Sequence, residues 1–122
     1  MLFKNDMMLR KAWFLLIFFF VLTNLYAQFR EDAYYRLWGA VELRSAPEFV
    51  DASLEYVTLN HEGGLPVKVL EIGSSAVRGD ERGFWVRVMT TSWAWAQNES
   101  RIPQYGKFWV FWRDDDIAQP MR

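Results

Sequence analysis

Apolar and polar positions alternate with a period of two along much of the chain, and no stretch shows the three-to-four spacing of an amphipathic helix. In residues 40–45, AVELRS, Val41 and Leu43 alternate with Glu42 and Arg44. This predicts a half-buried strand, ended by Pro47. Residues 54–59, LEYVTL, predict a second strand, with Tyr56 and Thr58 on one face and Val57 and Leu59 on the other. The NHEGG segment that follows has turn chemistry. In residues 66–72, PVKVLEI, Val67 and Val69 share a face, but Leu70 and Ile72 fall one step out of phase. Such a slip predicts a bulge or bend. The glycines, serines and charges of GSSAVRGDERG, residues 73–83, predict a loop.

Strand character resumes at residues 84–91, FWVRVMTT, with Val86 and Val88 facing inward and Trp85 and Arg87 outward. The SWAWA segment, residues 92–96, either extends this strand or belongs to a hairpin, with Trp93 and Trp95 on one face. A polar connection broken by Pro103 and Gly106 leads into KFWVFWRDDD, residues 107–116, which is apolar on both faces. Its Phe108, Val110 and Trp112 are expected inside, leaving Trp109 and Phe111 outside, and the three aspartates end the strand against water. Five or six short strands without an amphipathic helix predict an all-β domain. At this size a small barrel is the expected closure.

The first part of the chain breaks this pattern. Lys4, Arg10 and Lys11 precede the unbroken apolar run of residues 12–22, AWFLLIFFFVL, and a small residue follows at Ala27. The order is that of a signal peptide, residues 1–27, forming a hydrophobic N-terminal signal helix; a retained inner-membrane anchor is the alternative. Residues 28–38 then read as a linker, 39–114 as the domain and 115–122 as a C-terminal tail. Cleavage after Ala27 removes Lys4, Arg10, Lys11 and Asp6, taking the 14 Lys plus Arg to 11 and the 15 Asp plus Glu to 14, a net charge of −3. A mildly acidic chain without a basic cluster argues against nucleic acid as a partner. With no cysteine, the domain is held by its core alone, without disulfides or thiolate metal sites.

The ordered features VELRSAP (41–47), YVTL with a glycine turn, VKVLEIG (67–73), a glycine-rich loop, FWVRV (84–88) and GKFWV (106–110) together resemble a bacterial SH3-like (SH3b) domain. The resemblance spans about residues 39–114. It departs from the family in the long segment between Val88 and Phe108 and in the short remainder after Trp112. It implies an SH3-like barrel of five to six strands serving as a non-catalytic module that binds peptides or peptidoglycan in the cell envelope.

Catalytic patterns are weak in this chain. His61 is the only histidine, and the glycines after His61-Glu62 are incompatible with a zinc-binding helix. The serines at 74, 75, 92 and 100 lie in predicted loops without a nucleophile-elbow pattern. Asp80 with Glu81, and Asp114 to Asp116, lie where nothing rigid would hold two carboxyl groups across a cleft. The chain is therefore not expected to be an enzyme or to carry a cofactor. The aromatic residues Tyr56, Trp85, Trp93, Trp95, Tyr105 and Trp109 are the candidate binding groove, with Arg87 or Glu71 orienting the ligand. The expected role is a periplasmic or secreted module that binds a peptide or peptidoglycan. The rival is a structural or assembly protein whose aromatic surface is covered by a partner envelope protein.

Overall fold

The computed structural model describes residues 29–59 and 63–121, so the signal segment and His61 lie outside the described residues. The strands are β1 (Tyr34–Leu37), β2 (Glu42–Arg44), β3 (Leu54–Val57), β4 (Leu65–Arg78), β5 (Glu81–Thr90), β6 (Ala94–Trp95), β7 (Arg101–Ile102), β8 (Lys107–Arg113) and β9 (Ala118–Pro120), with a 3-10 turn at Asp51–Ser53. Seven of them form one antiparallel sheet in the order β3-β2-β8-β5-β4-β1-β9, and β6 and β7 form a separate hairpin. The class is all-β, as the alternation predicts. The sheet does not close into the expected barrel: its edge strands β3 and β9 are not paired with each other. Beyond β3, a single bridge from Thr58 to Ala96 attaches the β6–β7 hairpin. Among the described residues no helix is long and apolar enough to cross a membrane.

The core follows the alternation closely. Val41, Leu43, Val67, Val69, Val86, Val88, Phe108, Val110 and Trp112 are buried together, so β8 faces the way its sequence predicts. The phase slip in β4 is real, because its pairing with β5 shifts register between Val69 and Glu71 and again between Ile72 and Ser75. A bulge flips which side chains face inward and increases local twist, letting a 14-residue strand curl around the core.

Three expectations about the chain's organisation are corrected. The 28–38 segment is no linker: β1 pairs with β4, Tyr35 and Leu37 are buried, and Phe29 packs edge-on against Tyr35, Phe84 and Trp112. Charged residues disguise it, but its alternation of Tyr34 and Arg36 with Tyr35 and Leu37 is that of a strand. The tail also joins the sheet, as β9 against β1. The predicted loop at residues 73–83 is instead a hairpin, turning only at Gly79-Asp80, where Gly79 has φ +63°. Its small residues serve close packing: a side chain at Gly83 would collide with the Trp112 carbonyl oxygen. The strand count rises to nine among the described residues, against the five or six expected.

Candidate functional site

The six aromatic residues predicted for the groove fall into two groups. Trp85, on the outer face of β5, is 4% exposed. The ring of Phe49, carried by the loop between β2 and β3, lies 4.8 Å from Trp85 and 4.9 Å from Phe111, so the outer face of β5 and β8 is closed by the chain itself. Trp109 is half-buried, its ring so close to Gly73 that an added Cβ there would lie 3.1 Å away. Tyr56 packs against the core with its ring perpendicular to Phe108 at 5.8 Å. These three do not form an open groove with the others. Glu71 and Arg87 face each other across β4 and β5, with Arg87 also opposite Trp109.

The covering loop depends on Arg44, a residue that alternation alone assigns to solvent. Its guanidinium donates to the carbonyls of Glu48 and Val50 and to Ser53 Oγ, at 3.3, 3.1 and 2.9 Å. All three bonds converge on Nη1, so one buried charged nitrogen gathers three loop acceptors and fixes the loop, and with it Phe49. Arg78 completes the cover, its guanidinium 5.2 Å from the Phe49 ring centre and 5.6 Å from that of Phe111.

Arg44 also begins a chain of ion pairs running Arg44–Glu42–Arg78–Glu81–Arg113–Asp116, with distances of 3.4, 3.0, 3.7, 3.1 and 2.9 Å. Burial works to raise the Glu42 pKa, but the hydrogen bond and charge of Arg78, helped by Arg44, hold it below the ordinary value. The hydrogen bonds that the Arg113 guanidinium donates, to Asp116 first and then to Glu81, push its pKa up and keep that side chain charged. Four of these charges, Glu42, Arg78, Arg113 and Asp116, rim a cavity of about 230 Å³, lined also by Trp38, Val41 and Trp112, where β2 and β8 share only the Arg44–Trp109 pair. Each charge on the rim already has an opposite partner, so the network acts as a clasp between strands. Asp116 additionally accepts from the Arg113 backbone N–H at 2.8 Å, which makes the aspartate run a structured turn into β9. Among the described residues no group of three or more His, Cys, Asp or Glu side chains could hold a metal ion.

The second aromatic group lies on the β6–β7 hairpin. Ala94 pairs with Ile102 and Trp95 with Arg101. Ala96 and Ile102 are buried in the core, and alternation turns Trp93, Trp95 and Arg101 outward. Trp93 and Trp95 are 47% and 48% exposed, with ring centres 5.6 Å apart and planes at 87°. The Arg101 guanidinium sits 4.6 Å from the centre of the Trp93 ring. Tyr105 and Leu59 are also exposed nearby: Leu59 N–H donates to the Trp95 carbonyl, and Gln104 Nε2 to the carbonyl of Thr91.

The ground beneath this surface is firm. Buried Thr90 donates through Oγ1 to the Pro103 carbonyl at 2.6 Å and accepts from Gly106 N–H at 3.0 Å, tying the long connection to the end of β5. The hairpin turn is closed by Ala96 N–H to the Ser100 carbonyl, with Glu99 at φ +66° and Asn98 accepting from Ser100. Sequence reasoning singled out Trp93, Trp95 and Tyr105 but missed Arg101 and Leu59. The alternating SWAWA and the R-I pair of β7 carried the signal for Arg101, once read as two sides of one hairpin. No family model matches this chain, and neither a curated protein nor a solved structure matches it.

Proposed function

We propose that this chain is an exported, non-catalytic binding module of the bacterial envelope, periplasmic or secreted, that takes a peptide or peptidoglycan on the β6–β7 hairpin. The observation that carries the reading is the perpendicular Trp93–Trp95 pair, left about half exposed on a firmly anchored hairpin while Trp85, Phe111 and Trp112 are buried. Large rigid indoles cost little conformational entropy on binding and offer flat apolar faces to a ligand. The ordered strand motifs that resemble SH3-like domains support the same role, with the ligand surface moved from the sheet face to the hairpin. Export rests on the basic, apolar and small-residue order of residues 1–27.

Co-sedimentation with purified peptidoglycan sacculi tests the reading. The mature chain is expected to pellet with sacculi, and Trp93→Ala with Trp95→Ala to leave it in the supernatant with unchanged circular dichroism. Equal pelleting of the double variant would remove the hairpin from the site. No pelleting of either protein, together with a stable oligomer in solution, would favour an assembly protein.

A further inference from the structure

We infer that the β6–β7 hairpin recognises an acidic glycan, a sugar ring stacking on the Trp93–Trp95 corner while a carboxylate of the same ligand meets Arg101. The inference rests on the reading of this hairpin as the ligand surface and goes further by choosing among ligand chemistries. A peptide held by strand addition needs an open strand edge several residues long. This surface has none: β6 and β7 are two residues each, paired with each other, and the chain after β6 is bridged to Thr58. What remains is recognition by side chains. Two indole planes at 87° present a corner of apolar faces suited to the C–H face of a sugar ring. Exposed Gln97, two residues after Trp95 on the same hairpin, offers an amide donor and acceptor for hydroxyl groups.

The charge of the ligand follows from Arg101. The ion pairs found among the described residues use Arg44, Lys68, Arg78 and Arg113 and leave Arg101 out. Its guanidinium instead lies over Trp93, which orients the fork without neutralising it. A stacked, charged guanidinium beside an aromatic platform is complementary to a carboxylate, which it can hold through two parallel hydrogen bonds.

Tryptophan fluorescence titration tests this with four probes. They are a peptide-free tetrasaccharide of alternating N-acetylglucosamine and N-acetylmuramic acid, chitotetraose as its neutral counterpart, a stem peptide alone, and vesicles of phosphatidylglycerol with phosphatidylcholine. The acidic tetrasaccharide is expected to bind about tenfold more tightly than chitotetraose, the size of one charge-assisted contact. Arg101→Gln should bring the two within about twofold while both still bind, and Trp95→Ala should abolish both responses. Equal affinity for the two sugars, or a preference that survives Arg101→Gln, overturns the acidic-glycan inference and leaves the hairpin site standing. A response to the stem peptide alone overturns it in favour of the peptide. A response to the vesicles alone, or to no probe, removes both the inference and the reading beneath it.

Discussion

Trp85 and Trp95 are the same side chain near each other in one sequence, yet Trp85 is 4% exposed and Trp95 48%. Neither belongs to the main core cluster, which is filled by valines, leucines and the inward face of β8. What separates them is a loop. Arg44 pins residues 45–53 over the outer face of the sheet and drops Phe49 onto Trp85 and Phe111, whereas Trp93 and Trp95 on the β6–β7 hairpin stay about half exposed. An aromatic residue in a small β-protein thus becomes packing or platform according to a third element, distant in sequence, that either reaches it or does not.

Substitutions that attack this contrast should rank by how much of the cover they remove. Trp85→Ala should cost about 3–5 kcal/mol in chemical denaturation, the range for emptying a buried aromatic site. Arg44→Ala should cost about 3 kcal/mol, because it removes the buried charged donor shared by the Glu48 and Val50 carbonyls and Ser53 Oγ, although Glu42 keeps Arg78. Phe49→Ala should cost about 2 kcal/mol and shift tryptophan emission to the red as Trp85 meets water. A smaller loss in emission shift than in stability would mean that other residues close over Trp85.

The clasp beneath the cover gives a pH signature. Because the folded pKa of Glu42 is lowered, its stabilisation is whole above the ordinary value of 4.5 and is lost as the pH falls through the lowered folded value. Glu42→Gln should therefore cost about 1 kcal/mol at neutral pH and converge with the parent chain in acid, read from melting curves across the acid range. At the small end, Trp95→Ala should change stability by no more than about 0.5 kcal/mol. A large loss there would make Trp95 packing, like Trp85, and end the contrast.

Much of the fold was legible because alternation is a local signal. The inward face of β8, the slip in β4 and the Val86–Val88 face needed no knowledge of partners. The lead-in strand and the hairpin at residues 73–83 were hidden because charges and glycines suggest loops, while pairing with β4 and β5 is a long-range fact. Arg44 shows the same limit: alternation put it outside, and only the loop folding over it explains why it is buried. For the candidate site, the sequence supplied the aromatic residues but not the loop that covers some of them, so Trp85 and Trp95 looked alike.

The central claim is that Trp93 and Trp95, and not the aromatics covered by the Phe49 loop, meet the ligand. Fluorine NMR of the mature chain labelled with 5-fluorotryptophan, titrated with soluble peptidoglycan fragments, reads each tryptophan separately. Shifts confined to the Trp93 and Trp95 resonances, with Trp85 and Trp112 unmoved, are the predicted result; shifts at Trp85 or Trp109 with Trp93 and Trp95 silent would contradict it.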